Sequence, residues 1–402
     1  MATRRANIRD MSAREVASLL QSKDYPTLAQ VVQQLTFLAA GNLRKGQAPE
    51  DVIPSQARRV QPEEERDDSR TAASYLLSEI AALNGGAVIK QLLKQFLEVD
   101  EREIVRGAVN GDSLAFQSGM ALGPLSSHKP VARLILQHCN VEKLVDRFVV
   151  CLEQSCKPGI EGPGTYLPLV LIAFPALAHM VRASRELRAE MRKHDEIFKA
   201  LHEVLSERIL KTQRPDNQNA LRGRLSEFLN NVATCKDLET WLIGQGYVEA
   251  IARIFATSQG RPFDLATQIV GDQATMRCFM GFTQMLENQE VCRLVRERRG
   301  IEILTPVSGT IRGIGPGIWE TMQAQIRGFG ARQYTPEERK ETRKVANHDL
   351  STPKVCAYPG CGAKEDPFLK ITLMVCGRCH MAYYCGKEHQ RLHWKEHKKV
   401  CT

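Results

Sequence analysis

The chain has 402 residues and a formal net charge of +9 at pH 7; hydrophobic residues make up 43% of it and charged residues 25%. These values are ordinary for a globular protein and exclude a collagen, a wholly disordered chain and a small disulfide scaffold. No stretch reaches the ~18 to 20 uninterrupted apolar residues of a membrane span, since the best candidate, 166–181, contains two prolines. The basic N-terminus lacks the apolar core of a secretory signal, so we expect an intracellular protein, in the cytoplasm or the nucleus.

The first elements along the chain are amphipathic helices, which we assign to residues 1–41. Ser12 and Glu15 have the spacing of a capping box and predict where the first of them begins. Residues 42–68 differ, because they hold three prolines, an acidic run and almost no large apolar side chain. This composition predicts a flexible linker or loop.

A turn followed by an amphipathic helix recurs through residues 69–334. Each helix is preceded by a small or polar turn and begins with a β-branched residue, and these residues are 53, 56, 51 and 53 positions apart: Val88, Val141, Ile197, Val248 and Ile301. A near-constant spacing of helix groups predicts an α-solenoid. The units resemble armadillo repeats over roughly 70–310, although their period exceeds the ~40 to 47 residues typical of such repeats. An irregular helical bundle is the alternative.

Two segments after the repeats carry no chemistry of their own. The glycine-rich run 312–317 lacks a preceding strand and a following Lys-Ser/Thr pair, and Pro316 removes a backbone N–H, so we do not interpret it as a nucleotide site. Residues 335–352 are rich in charges spaced to pair along a helix, which predicts a charged helical spacer.

The last 47 residues contain six of the 12 cysteines and four of the ten histidines. Eight of these side chains form four close pairs: Cys356, Cys361, Cys376, Cys379, Cys385, His389, His397 and Cys401. Thiolate and imidazole ligands in this number suit two tetrahedral Zn²⁺ sites, and a segment with so little aliphatic core needs metal to fold. His393 is an alternative to His389 as the sixth ligand.

This array resembles the MYND-type zinc finger over residues 356–401, including the family's closing pattern of Tyr-Tyr-Cys, His-Gln, Trp and His-x3-Cys. The resemblance implies interleaved sites: Cys356, Cys361, Cys385 and His389 hold one zinc, and Cys376, Cys379, His397 and Cys401 hold the other. His389 departs from the cysteine usual in the family. The predicted fold is therefore mostly α, an armadillo-like helical solenoid followed by a small two-zinc finger at 353–402.

The resemblance also implies a function. MYND fingers grip short peptides of partner proteins that contain proline and leucine, and here Gln390 and Trp394 would line that groove. We therefore expect a protein–protein interaction adaptor with partners on the finger and on the helical surface. Helical-repeat MYND proteins of fungal type include substrate adaptors of ubiquitin ligases, and a transcriptional co-regulator is a related possibility.

Two other classes of function are less well supported. A nucleic-acid-binding regulator is the alternative that the zinc finger and the +9 charge raise, but the chain has no Lys/Arg run and no basic recognition helix. An enzyme is not expected, because filled zinc sites lack an open position for water and 347–350 is not the Asn-His-x-Cys motif of SET methyltransferases. No membrane contact is expected, and nothing in the sequence indicates an oligomeric state.

Overall fold

The computed structural model describes residues 7–39, 74–157, 167–258, 272–314, 317–328, 356–359, 361, 363, 373–377 and 382–398. Within these ranges the chain is mostly helical, and one two-stranded sheet lies near its C-terminal end. The predicted linker 42–68 and the predicted spacer 335–352 lie outside the described residues.

The helices before residue 160 are α1 Ala13–Leu20, α2 Tyr25–Ala39, α3 74–82, α4 Ala87–Leu97, α5 Glu101–Asn110, α6 Leu114–Ser126, α7 Lys129–Gln137 and α8 Val141–Cys156. Those that follow are α9 Val170–Met180, α10 Arg185–Met191, α11 Glu196–Val204, α12 Glu207–Leu210, α13 Pro215–Ala233, α14 Glu239–Gly244, α15 Tyr247–Ala256, α16 Gln273–Met285, α17 Gln289–Glu297, α18 Gly300–Leu304, α19 Ser308–Arg312 and α20 Ile318–Arg327. The C-terminal unit contains β1 Met374–Val375, β2 Tyr383–Tyr384 and α21 Lys387–His397.

Local signals in the sequence determine where the helices begin. The predicted capping box is confirmed, since the Glu15 N–H donates to the Ser12 hydroxyl at 3.3 Å and the Ser12 N–H donates to the Glu15 carboxylate at 2.8 Å. The five β-branched residues at the predicted period each occupy the first or second position of a helix: α4, α8, α11, α15 and α18. The turn before α15 needs glycine, because Gly246 has φ +80° and an added Cβ would lie 2.7 Å from His202 Nε2.

The longer helices pack in chain order. Helix α2 contacts α6, α6 contacts α9, α9 contacts α13, and α13 contacts α16. At one of these junctions the rings of Phe174 and Phe228 lie 5.0 Å apart. Buried side chains from Ile8 to Ile326 form one continuous hydrophobic core, so the N-terminal helices share the core of the helices that follow.

Polar side chains join segments of the helical region that are about one predicted period apart. The separations of 50, 50 and 49 residues match the spacing of the predicted units: the Arg147 guanidinium donates to Leu97 O at 2.9 Å, the Gln245 amide to the Asp195 carboxylate at 2.9 Å, and the Asn288 amide to the Glu239 carboxylate at 2.8 Å. These segments are therefore joined by hydrogen bonds as well as by the shared core.

Among the described residues, no single helix has both the length and the apolar composition to cross a membrane. The neighbouring helical segments Ser74–Gly85 and Ala87–Leu97 have that length and apolar composition only when they are counted together, and the chain bends by 86° between them.

Substitution of Phe228 tests how much the packing between helices contributes to stability. Its buried ring contacts those of Phe174 and Phe198, at 5.0 and 6.0 Å between centroids, so Phe228→Ala removes contacts to α9 and α11 at once. We expect a loss of about 3–5 kcal/mol in the free energy of unfolding, measured by urea denaturation followed by circular dichroism. The control Val109→Ala, at a half-exposed helical position, should change it by less than about 0.5 kcal/mol. Equal losses in the two variants would contradict the packing described here.

Candidate metal centre

Two backbone hydrogen bonds position the first pair of predicted ligands. The Cys356 N–H donates to Ala363 O at 2.8 Å and closes a tight turn that also carries Cys361. The Ala357 N–H donates to Tyr383 O at 2.7 Å, which fixes this turn against β2. The turn thus lies beside the strand whose end delivers the third cysteine.

Four of the predicted ligands come together in one cluster, whose ligand atoms all lie within 4.8 Å of one another: Cys356, Cys361, Cys385 and His389. The Sγ atoms of Cys361 and Cys385 are 3.6 Å apart, and His389 Nδ1 lies 3.0 Å from Cys385 Sγ and 3.6 Å from Cys356 Sγ. A tetrahedral Zn²⁺ places two sulfur ligands about 3.8 Å apart and a sulfur and a nitrogen about 3.6 Å apart. The donor set and the size of the cluster therefore fit zinc.

The position of His393 separates it from this cluster. Its Nδ1 lies 3.1 Å from the hydroxyl of Tyr384, whereas the ring of His389 stacks on Tyr358 at 4.5 Å between centroids. The structure thus brings His389, and not His393, to the three cysteines. Sequence analysis did not assign a role to either tyrosine; the signal that was available is that each aromatic residue lies within two positions of a ligand cysteine.

The thiols in this cluster influence each other's ionisation. Burial raises the pKa of Cys356, but hydrogen bonds from the backbone N–H groups of Cys385 and Tyr358 outweigh it and lower the pKa to about 7. Burial and the neighbouring sulfurs of Cys361 and Cys356 raise the pKa of Cys385. Three thiolates this close repel one another, and a divalent cation that binds thiolate removes the repulsion.

A second pair of predicted ligands meets at the other end of α21. Cys376 follows β1, and its N–H donates to Ala382 O at 2.8 Å. His397 is the last residue of α21, and its Nε2 lies 3.3 Å from Cys376 Sγ. Both side chains are buried. Their predicted partners Cys379 and Cys401 lie outside the described residues.

The predicted peptide-binding residues lie on α21, between the predicted ligands His389 and His397. Gln390 is partly exposed and Trp394, one turn later, is 39% exposed. The centroid of the Trp394 ring lies 5.9 Å from that of His397, a predicted ligand, and much of the indole remains accessible to solvent. Leu392 is 51% exposed and lies two residues from each of them, on a different side of the helix.

The cysteines of the helical region form no such group with other potential ligands in the part of the chain that the structure describes. Burial raises the pKa of Cys151 to about 12, and the thiols of Cys235, Cys278 and Cys292 are buried as well. Protonated buried thiols act as small apolar side chains.

The choice between the two histidines gives a direct test of the first cluster. We expect His389→Ala to lose one zinc per chain, because it removes a ligand. We expect His393→Ala to keep the zinc content of the unchanged protein, because His393 contacts Tyr384 and the His397 ring and lies outside the ligand cluster. Zinc per chain is measured by atomic emission after dialysis. Loss of zinc in His393→Ala with full retention in His389→Ala would contradict the assignment.

Comparison with known proteins identifies a domain family for the C-terminal residues that hold these ligands. Residues 356–401 match the MYND finger family. Egl nine homolog 1 from Mus musculus is 51% identical over 41 residues, which are 10% of this chain and 9% of that protein. The Homo sapiens protein of the same name is 49% identical over 41 residues, 10% of this chain and 8% of its own. The chain thus matches less than a tenth of the length of these relatives. Residues 356–401 are a MYND finger, a zinc-binding protein-interaction domain, which follows a mostly helical region.

Proposed function

We propose that this chain is a zinc-binding interaction adaptor whose MYND finger binds short peptides of partner proteins. The observation that supports this most is the accessible indole of Trp394 on the helix that carries two of the predicted ligands, α21. His389 and His397 point to ligand cysteines, while Gln390 and the 39% exposed Trp394 are available to a partner. An exposed indole on a metal-anchored helix is a rigid apolar anchor of the kind that dominates protein interfaces.

The metal content we propose is two zinc ions per finger. Cys376 and His397 supply half of the second site, and Cys379 and Cys401 would complete it with two more sulfurs. Each site would then have three sulfurs and one nitrogen and no open position for water, so the zinc would stabilise the fold and carry out no hydrolysis. We infer that the chain is not an enzyme.

For the helical region we propose an armadillo-like solenoid that offers a surface to a second partner. The packing of α2, α6, α9, α13 and α16 in chain order supports this, as do the hydrogen bonds between residues about one period apart. A protein with one partner on the finger and another on the helices would act as an adaptor, in ubiquitin-dependent degradation or in transcriptional co-regulation, within the cytoplasm or the nucleus.

The alternative is a nucleic-acid-binding regulator. The net charge of +9 supports it, but the helix of the finger carries acidic as well as basic residues, with Glu388 and Glu396 on α21. A helix that reads DNA or RNA through phosphates carries a clear excess of positive charge. We therefore favour a protein partner.

Trp394→Ala tests the finger as a peptide-binding module. We expect it to weaken binding of fluorescein-labelled peptides containing proline and leucine by about tenfold or more, because a buried tryptophan anchor contributes ~2 kcal/mol or more to an interface. Fluorescence anisotropy measures the affinity, and a comparative pull-down with mass spectrometry identifies the natural partners that are lost.

Two controls make this test decisive. Leu392→Ala removes an apolar side chain of similar exposure from another side of α21 and should leave peptide binding unchanged. Zinc per chain is measured in both variants, because the Trp394 ring packs against His397. Unchanged peptide binding and partners in Trp394→Ala, with zinc retained, would show that the finger does not bind partners through this residue.

A further inference from the structure

Several helices of the helical region contribute positive charge to one surface, which we call the basic face and define by four residues: Arg133, Arg182, Arg224 and Arg277. They lie in α7, directly after α9, in α13 and in α16. Hydrogen bonds hold Arg182 and Arg277 against α13, the helix that carries Arg224. The Arg182 guanidinium donates to the Asn231 amide oxygen at 3.4 Å, and the Arg277 guanidinium donates to Gly223 O at 3.3 Å, both on α13.

The basic face holds more positive than negative charge. Glu227 lies beside Arg224, with one carboxylate oxygen 3.3 Å from the Arg224 guanidinium and the other 3.7 Å from His179 Nε2. Among the described residues, no carboxylate lies within 4.0 Å of Arg133, Arg182 or Arg277. Among the described residues, Glu227 is therefore the one carboxylate within 4.0 Å of any of these four guanidinium groups.

Neighbouring ionisable groups respond to this excess charge. Burial first, and then the positive charges of Arg133 and Arg182, lower the pKa of Lys129 to about 8. Burial also lowers the pKa of His179, an effect that Glu227 opposes and nearby arginines strengthen, so this imidazole adds no positive charge at neutral pH. The side chains of the basic face therefore repel one another in the isolated chain.

The geometry points to an acidic peptide segment of a partner protein as the ligand of the basic face, with its carboxylates paired to Arg133, Arg182 and Arg277. Guanidinium groups bind carboxylates through two parallel hydrogen bonds, and such pairing would remove the excess positive charge. Met280 lies three residues after Arg277 on α16 and is 51% exposed, so it offers an apolar contact beside the charges. This proposal rests on the proposed function, because it names the chemistry of the partner of the helical region.

A peptide suits the basic face better than a nucleic acid does. The carboxylate of Glu227 beside Arg224 would repel a continuous row of phosphates, whereas a peptide can leave an uncharged residue opposite it. Proteins that bind single strands also stack bases on exposed aromatic rings. None of the exposed aromatic side chains in the described ranges lies on α7, α9, α13 or α16.

The test uses the full chain and three labelled probes of defined composition: an oligoglutamate peptide interspersed with leucine, an oligolysine peptide with the same spacing, and oligodeoxythymidylate. Fluorescence anisotropy is measured over a range of salt concentrations. We expect the oligoglutamate probe to bind with an affinity that falls as salt rises, and the oligolysine probe not to bind.

Charge reversal locates the binding. Arg182→Glu combined with Arg277→Glu should weaken oligoglutamate binding by about tenfold or more, and the neutral pair Arg182→Gln with Arg277→Gln should weaken it less while keeping the fold. Arg14→Glu combined with Arg102→Glu changes the net charge equally at exposed first-turn positions of α1 and α5 and should leave binding unchanged. Circular dichroism checks that all variants keep their helical content.

The result of this test does not depend on whether the finger binds peptides. Trp394→Ala should bind the oligoglutamate probe as the unchanged protein does, so failure of the finger as a peptide module leaves this test intact. Absence of oligoglutamate binding at low salt would overturn the proposal. So would equal weakening by the Arg14/Arg102 pair, or tighter binding of oligodeoxythymidylate than of oligoglutamate, which would favour a nucleic acid.

Discussion

The finger cannot be held together by hydrophobic burial, because its described buried cluster consists of Cys356, Cys376 and Tyr384, two of which are predicted ligands. Metal coordination has to supply the stability that a hydrophobic core would otherwise supply. A structural zinc contributes about 10–16 kcal/mol of apparent binding free energy to such a fold. The ligands therefore determine how the turn at Cys356, the two strands and α21 are arranged. Because the ligand residues His389 and His397 anchor α21, the side chain of Trp394 can remain exposed without loss of fold.

The helical region, in contrast, is stabilised by hydrophobic burial. Its helices bury their apolar sides against one another, and the longer helices α2, α6, α9, α13 and α16 pack in that order. Hydrogen bonds such as that from Asn288 to Glu239 join helices whose residues are 49 positions apart in the sequence. Hydrogen bonds from Arg182 and Arg277 to α13 likewise join residues that are distant in the sequence.

Local sequence signals predicted much of this arrangement. The Ser12 capping box, the β-branched residues at helix starts and the spacing of the cysteine pairs depend on neighbours within a few positions, and the structure follows them. The choice of His389 over His393 could not be derived that way, since both lie on α21 one turn apart and only the placement of Tyr384 separates them. The packing of α2 on α6 and the basic face depend on contacts across many residues, which local patterns do not encode.

The central claim is that zinc in the finger has a purely structural role and leaves the surface of α21 to bind a partner. X-ray absorption at the zinc edge of the full chain tests it most directly. The account predicts four-coordinate zinc with an average of three sulfurs, at about 2.3 Å, and one nitrogen, and with no oxygen ligand. A bound water, or a coordination number of five, would contradict the account, because it would mean an open site that is available for catalysis.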